Sequence, residues 1–147
     1  MPKKKKRTVS VAKKDAWKAF SEYIRLRDAI KTTKSKTRCR CITCGNVYPI
    51  AWQRDGVYTQ AGHAIDGRAK NILFDEDLVN GQCSACNCVH NGRLSEYALI
   101  MLERYGKEWF EEKCRIARLP AEKPWNVVDL DEIRDHYKAK KKELEDE

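Results

Sequence analysis

Apolar residues recur at helical spacing in three parts of the chain. They share one face, at intervals of three and four residues, over positions 15–32, 94–117 and, more sparsely, 130–144. Gly106 interrupts the second pattern, which predicts that this stretch is broken into two helices there. Residues 57–61 have the composition of a short strand, and the stretch around them is rich in turn-forming residues. We therefore expect helices at both ends of a loop-rich middle.

The last predicted helix has a thin apolar seam in a strongly charged stretch. The seam consists of Leu130, Ile133, Tyr137 and Leu144. So few apolar residues cannot keep a helix folded alone in water, because most helical stability in proteins comes from packing. We expect this helix to pack either on the body of the protein or on a second subunit.

These patterns predict one small domain of the α+β class within the 147 residues. The predicted parts are a basic disordered arm at 1–14, an N-terminal helix and basic linker at 15–38, a loop-rich core at 39–93, a helical part of the core at 94–119, and a linker with a charged C-terminal helix at 120–147. A core of this size is small, so a bound metal would add needed stability.

Positive charge is concentrated at the N-terminus. The formal net charge is +8, and residues 1–40 carry 15 Lys or Arg against 3 Asp or Glu. A basic arm on a near-neutral body is typical of nucleic-acid binding. The alternatives are a tail that only keeps the protein in solution and, less favoured, a nuclear address. The candidate phosphate contacts in the arm are Lys3, Lys4, Lys5, Lys6 and Arg7.

Hydropathy gives no sign of a membrane protein. Mean hydropathy is −0.75, and no apolar run approaches the roughly 20 residues that a membrane span needs. The first residues also lack the apolar segment of a signal peptide. We therefore expect a cytoplasmic protein without a membrane partner. In such a reducing compartment, paired cysteines bind metal more often than they form disulfides.

Two Cys-x-x-Cys pairs, separated by 38 residues, predict a zinc site. Four thiolates suit one tetrahedral Zn²⁺, and a site closed by four protein ligands is structural rather than catalytic. The predicted ligands are Cys41, Cys44, Cys83 and Cys86. Cys39 and Cys88 each lie two residues from a predicted ligand, so either could substitute for it or be a bystander.

His63 is the candidate catalytic residue between the two cysteine pairs. A neutral imidazole can take a proton from water near pH 7, although a lone histidine is more often structural. Asn87 and Asn91 follow the second pair; if a helix begins near Cys86, they share one face and could help to hold Mg²⁺ through their amide oxygens. The alternative for Asn87 is a helix N-cap.

Three further polar residues are candidates near this site. Asn80 could tie the loop that carries His63 to the following helix through bonds to the backbone. Arg68 and Lys70 lie in the loop after His63, where they could clamp a phosphate. Their alternative role is ordinary solvation of a loop.

The same residues resemble the HNH, or ββα-metal, nucleases, which combine Cys-x-x-Cys, a His at a strand end, an Asn, and a second Cys-x-x-Cys followed by Asn. The layout is also similar to that of the recombination endonuclease VII group. More closely, residues 15–118 resemble the NinG/Rap recombination proteins of lambdoid phages. The matching segments are 23–29, Cys41-x-x-Cys44, Gln60-Ala-Gly-His63, Asn80-Gly-Gln-Cys83-x-x-Cys86-Asn87, Asn91-Gly92 with Tyr97, and Tyr105-Gly106.

The resemblance implies a zinc-stapled HNH-like core flanked by the terminal helices, and an endonuclease that cuts branched DNA in recombination. His63 would be the general base, Asn87 a ligand of the catalytic Mg²⁺ and Asn80 the loop-fixing residue. One departure is clear: many HNH enzymes place a metal-binding Asp before the histidine, where this chain has Gly62. The missing ligand could come from Asn91, from Asp66 or another carboxylate, or from DNA phosphates.

We expect, on these grounds, an Mg²⁺-dependent endodeoxyribonuclease that cuts Holliday junctions and D-loops, with Mn²⁺ as the alternative ion. Its partners would be branched double-stranded DNA and a second copy of the chain in a homodimer, in the cytoplasm of a bacterial host. The alternatives are a zinc-stabilised junction-binding protein that has lost catalysis, which Gly62 favours, and a nicking enzyme without junction preference.

Overall fold

The computed structural model describes residues 3, 6–66 and 70–147, which form a small α+β fold. The helices are α1 (Val9–Thr33), α2 (Leu94–Tyr105), α3 (Lys107–Arg118) and α4 (Val127–Asp146). Strands β1 (Arg38–Arg40) and β2 (Val47–Pro49) form one antiparallel pair, and β3 (Thr59–His63) and β4 (Val79–Cys83) form another. Short helical turns cover Lys70–Ile72, Ala85–Val89 and Asn91–Arg93.

Helix α1 begins at Val9, so the prediction that residues 1–14 are a disordered arm is wrong for residues 9–14. Thr8 caps the helix, because its side-chain oxygen accepts a hydrogen bond from the backbone N–H of Val11 at 3.2 Å. Ala12 is fully buried against Leu130 of α4. The early start is therefore stabilised by a contact between residues far apart in the sequence, which helical periodicity does not reveal.

The seam of α4 packs against α1 of the same chain, which confirms the first of the two expectations for it. The ring of Tyr137 meets Phe20 edge to face, with centroids 4.8 Å apart, and lies 5.4 Å from the ring of Tyr23. The ammonium group of Lys141 pairs with Glu22 at 3.2 Å. The apolar seam of α4 thus packs within the chain, with Leu130 and Tyr137 buried and Ile133 and Leu144 partly buried.

Helix α1 also holds the β3–β4 hairpin in place through an adjacent pair of charged residues. Asp28 accepts a hydrogen bond from the backbone N–H of Gly81 at 2.7 Å. Arg27 donates to the main-chain carbonyls of Glu76 at 2.8 Å and Val79 at 3.0 Å. The two side chains also pair with each other at 2.8 Å. The charged pair therefore satisfies backbone groups of β4 and its preceding turn, and fixes the hairpin to the helix.

The predicted break in the second helical stretch is present. Gly106 has a φ of 89° between α2 and α3, a conformation that favours glycine. Helix α2 buries Tyr97 and Met101 in an apolar cluster with Ile72 and Leu78. Within residues 3, 6–66 and 70–147, none of the helices has the length and apolar character to cross a membrane.

Candidate metal centre and candidate active site

The four predicted zinc ligands come together in space. One ligand atom from each of Cys41, Cys44, Cys83 and Cys86 lies within 4.8 Å of all the others, and three of the four residues are buried. The sulfurs of Cys44 and Cys83 are 3.9 Å apart. Tetrahedral Zn²⁺ with bonds of about 2.3 Å would separate two sulfurs by about 3.8 Å. The cluster can therefore hold a metal such as zinc with little rearrangement.

The surroundings favour the thiolate at Cys41, whereas burial raises the pKa of the Cys44 and Cys83 thiols. Burial raises the pKa of the Cys41 thiol, but hydrogen bonds from backbone N–H groups outweigh burial and lower that pKa to about 6. The backbone N–H of Cys83 donates to Cys41 Sγ at 3.2 Å. Arg93 donates from Nε to Cys86 Sγ at 3.1 Å. Donors directed at sulfur are what a negatively charged metal-thiolate centre requires.

The neighbouring cysteines are not part of the cluster. Cys39 is fully buried on the β1 side of the hairpin, and burial raises the pKa of its thiol to about 12. Its sulfur would lie only 2.7 Å from a Cβ at Gly81, so glycine there allows the two strands to approach. Cys88 is exposed and lines a cavity whose wall includes none of the four clustered cysteines. Cys114, on α3, is partly buried.

His63 is the last residue of β3, as the sequence predicted, and its ring is fixed on two sides. The indole of Trp17, from α1, stacks on the imidazole with centroids 5.2 Å apart and an interplanar angle of 16°. Nε2 lies 3.2 Å from the main-chain carbonyl oxygen of Leu73. Because a carbonyl can only accept, Nε2 must carry the proton in this contact. In the neutral ring, the basic lone pair is then on Nδ1.

A cavity of about 600 Å³ lies beside His63. Its wall includes both predicted metal-binding amides, Asn87 and Asn91, and also Asp66. The structure thus brings the candidate base and the candidate cation ligands to one cavity. The segment that carries the two asparagines is not a regular α-helix, however: Ala85–Val89 is a single π-helical turn, and Asn91 has a φ of 52°. A helical turn does begin near Cys86, but it ends at Val89, so the prediction that one helix carries both asparagines was wrong.

The side chain of Asn87 is held from strand β3. Its Nδ2 donates to Oε1 of Gln60 at 2.9 Å, and Gln60 Nε2 donates in turn to the hydroxyl of Tyr58 at 2.9 Å. This chain fixes which end of the Asn87 amide is the nitrogen, so its oxygen is the end not bonded to Gln60. Asn87 does not cap a helix through its side chain, because no side-chain cap bond is present in this turn.

Asn80 links the hairpin to helix α2. It is buried in β4, where its Nδ2 donates to the hydroxyl of Tyr97 at 3.0 Å. Tyr97 donates to the carbonyl oxygen of Gly62 at 2.8 Å. The predicted tie between the histidine segment and the following helix is present, but its last bond is supplied by Tyr97. Burial raises the pKa of Tyr97 well above its usual range, so the phenol keeps its proton.

The side chain of Gln82 explains why position 62 is a glycine in this chain. A Cβ at position 62 would lie 2.1 Å from Oε1 of Gln82, which is fully buried on β4. Gln82 donates through Nε2 to the carbonyl of Gly92 at 2.8 Å and to Thr43 at 3.1 Å. Its Oε1 is the buried side-chain oxygen without a hydrogen-bond partner among the described residues. The side chain of Gln82 thus takes the space that the first atoms of an Asp at position 62 would need.

The basic residues predicted to bind DNA differ in their surroundings: some are paired within the fold and others are exposed. Arg7 forms ion pairs with Asp15 and Asp131, so it joins α1 to α4. Lys70 lies over the ring of Trp125 at 4.7 Å and does not line the cavity that holds His63. Lys3 and Lys6 are exposed. Lys4, Lys5 and Arg68 lie outside the described residues, and DNA binding by these side chains stays a prediction.

Sequence reasoning missed residues that shape the site through long-range contacts. Trp17 was assigned only to a core-facing helical stripe, although its ring stacks on His63. Gln60, Gln82 and Tyr97 were given no role from their chemistry. The only signal available was that all three occur in segments that resemble a known family. Apart from the bond between Gln60 and Tyr58, their hydrogen-bond partners are 10 to 39 positions away in the sequence.

Comparison with known proteins gives a match along almost the whole chain. The family model described as "Bacteriophage Lambda NinG protein" matches residues 2–147. Curated proteins named "Protein ninG" are similar: that of Salmonella phage P22 is 28% identical over 134 residues, covering 90% of this chain and 57% of the relative. Those of Escherichia phage 933W and Escherichia phage lambda are 29% and 27% identical over 132 residues, covering 89% of this chain.

The chain spans somewhat more than half of the length of these relatives, 57% for the phage 933W protein and 56% for the phage lambda protein. No solved structure matches the chain.

Proposed function

The chain belongs to the NinG family, and we propose that it is a structure-selective endonuclease that hydrolyses phosphodiester bonds in branched DNA, such as Holliday junctions and D-loops. The observation that carries the proposal is the hydrogen bond of the His63 ring and its position at the cavity. The ring Nε2 bonds to the carbonyl of Leu73, so Nδ1 carries the basic lone pair of the neutral ring, and His63 lines the same cavity as Asn87 and Asn91. The order of β3, β4 and a helical segment fits an HNH-like core.

The residues at the cavity fit a weakly held divalent cation. Hard cations prefer oxygen ligands, and the cavity wall carries the amide oxygens of Asn87 and Asn91 and the carboxylate of Asp66. Gln60 orients the amide of Asn87. Position 62 is a glycine and adds no carboxylate, and Gln82 fills the space beside it. Mg²⁺, or Mn²⁺, bound here would stabilise negative charge on the phosphate and on the leaving oxygen.

His63 acts as the general base in this proposal. Nδ1 takes a proton from water, the water oxygen forms a bond to phosphorus, and the bond from phosphorus to the 3′ oxygen breaks in line. The 3′ oxygen leaves with a proton from solvent, which gives a 3′-hydroxyl and a 5′-phosphate. Stacking on Trp17 and the bond to Leu73 hold the imidazole so that Nδ1, not Nε2, meets the water. Cutting both strands of a symmetric junction would require two copies of the chain.

The test is an assay with end-labelled four-way junction and matched linear duplex, each with Mg²⁺ or with EDTA. The wild-type protein is expected to cut the junction with Mg²⁺ only. His63→Ala should reduce the rate by about 10²- to 10⁴-fold, the usual contribution of general base catalysis. His136→Ala is the matched control, since His136 is exposed on α4 and lies outside the cavity. Equal rates for the two variants would refute the role of His63.

A second candidate function rests on Gly62 and Gln82. Without a carboxylate at position 62, the chain could be a zinc-stabilised protein that binds junctions and does not cut them. Junction binding that survives in EDTA, with no cleavage at any Mg²⁺ or Mn²⁺ concentration, would favour this function. Equal cutting of junction and duplex would instead favour a nicking enzyme without junction preference.

A further inference from the structure

Trp52 is a large aromatic residue that the fold leaves in water. Its side chain is 67% exposed, in the stretch 51–57, of which every residue is exposed. Trp52 also lines the cavity that holds His63. Burying a tryptophan side chain is favourable, because a large apolar surface leaves the water. A tryptophan that stays exposed on the wall of a cavity therefore indicates a ligand that covers it.

Both ends of the stretch that carries Trp52 are fixed. At one end, Arg25 of α1 donates from Nη1 to the carbonyl of Ile50 at 2.6 Å. At the other end, the backbone N–H of Ser84 donates to the carbonyl of Tyr58 at 2.7 Å, and the Tyr58 N–H donates to the Ser84 hydroxyl at 3.2 Å. Trp52 is therefore exposed on a short loop with fixed ends rather than at a loose terminus.

The wall of the cavity near Trp52 is aromatic and basic. Tyr58 and Arg25 line it together with Trp52. The hydrogen bonds of Arg25 go to the main-chain carbonyls of Ser21 and Ile50, and within the described part of the chain it forms no salt bridge with a carboxylate. Aromatic faces beside a guanidinium that forms no salt bridge in the described part of the chain suit a ligand that combines a flat ring with a phosphate.

We propose that Trp52 stacks on a nucleobase at the branch point of the DNA substrate, while Arg25 faces the adjoining phosphate. The inference rests on the proposed function, and it adds a reason for branch selectivity. In the interior of a linear duplex, each base is covered on both faces by its neighbours. Away from duplex ends, a base face is open to an aromatic side chain at a branch or in single-stranded DNA. Trp52 is therefore a specificity-determining residue.

The test measures binding in EDTA with the His63→Ala variant as the parent protein, so that no cleavage intervenes. The probe is a D-loop oligonucleotide assembly with 2-aminopurine either at the branch point or in the middle of an arm, together with a linear duplex of the same sequence. Trp52→Ala is compared with Trp52→Phe and with Leu99→Ala. Leu99 is the matched control, because it is also 67% exposed and lies away from the cavity.

Stacking predicts that the parent protein changes the fluorescence of 2-aminopurine at the branch point and not in the arm. Trp52→Ala should weaken binding of the D-loop by on the order of 5- to 150-fold, the range for loss of one stacked base, and binding of the duplex by much less. Trp52→Phe should keep most of the affinity, and Leu99→Ala all of it. Equal loss on D-loop and duplex, or no loss on either, would overturn the inference.

The two proposals fail in different ways. If the wild-type protein cuts branched DNA and Trp52→Ala cuts and binds it equally well, the stacking inference is wrong and the endonuclease stands. If no protein cuts DNA, but the branch-point signal disappears in Trp52→Ala alone, the stacking inference is supported and the endonuclease is wrong. Thermal melting of each variant checks that the substitution at this exposed position leaves the fold intact.

Discussion

Replacing Tyr97 with Phe removes one hydroxyl that joins three elements of the site. This hydroxyl accepts a hydrogen bond from Asn80 of β4 at 3.0 Å and donates to the carbonyl of Gly62 on β3 at 2.8 Å. Tyr97 itself is fully buried on α2. The phenylalanine ring would fill the same space, so the change removes the two hydrogen bonds with little effect on packing.

The loss of stability depends on which buried groups lose a hydrogen-bond partner. Leaving a buried polar group unsatisfied costs about 1–3 kcal/mol. The nitrogen of the Asn80 amide retains only a long bond, of 3.4 Å, to the carbonyl of Asp77, while its oxygen still accepts from Arg27 at 3.4 Å. The carbonyl of Gly62 lies opposite Asn80 in the β3–β4 ladder and can keep a ladder bond. We therefore expect the free energy of unfolding to fall by about 1–3 kcal/mol, close to the cost of one such group rather than two.

Urea unfolding of the zinc-loaded protein measures this change. With a slope of about 1–3 kcal/mol per molar urea, the midpoint should fall by on the order of 1 M. Tyr105→Phe is the control, because Tyr105 is 40% exposed and stacks on Trp109 at the surface. Its effect should stay within about 0.5 kcal/mol. If the two variants have the same midpoint, the hydroxyl of Tyr97 does not hold the hairpin, and the reasoning is refuted.

Three other predictions concern the metal cluster, Gly62 and pH. Cys83→Ser should abolish the one equivalent of zinc that elemental analysis is expected to find, whereas Cys39→Ser should retain it; zinc content unchanged in Cys83→Ser would contradict the cluster. Gly62→Ala should lower the melting temperature, with a cost of about 1–3 kcal/mol from overpacking against Gln82; no loss would show that Gln82 moves aside easily. Burial raises the pKa of Glu76, but hydrogen bonds from Lys140 and Tyr137 outweigh it and hold that pKa below its usual range. Its contribution is therefore present above the unfolded pKa near 4.5 and is lost as pH falls through the lower folded pKa; Glu76→Gln should melt below wild type at pH 7, with a difference that shrinks below about pH 4.

The cysteine cluster and the place of His63 at the end of β3 could be predicted because their signal is local in the sequence. The spacing of Cys-x-x-Cys determines that two thiolates of each pair face one point, and a strand that ends in Gly-His places the imidazole at its edge. The positions of Asn87 and Asn91 were also predicted, although the turn that carries them is π-helical rather than α-helical. Short motifs specify which side chains converge, but leave open the backbone that brings them there.

The interaction partners of the charged residues could not be predicted from a local signal in the same way. Arg7 looked like part of a DNA-binding arm, yet one of its partners is Asp131, 124 positions away. Arg27 and Asp28 were given no role from the sequence, yet they satisfy backbone groups of β4. A sequence shows the sign of each charge, whereas its use depends on which distant group folding brings opposite.

The two halves of the candidate site are held by different parts of the fold. Asn87 is next to Cys86, so the metal cluster fixes the backbone from which its amide projects, and Gln60 then orients that amide. His63 is held instead by α1 through Trp17, by the carbonyl of Leu73, and by the bond from Tyr97 to the preceding residue. Strand β4 is the connection between them, because it ends at Cys83 and is fixed near its middle by Asp28. The distance from base to cation ligand therefore depends on both supports, and neither one alone can define it.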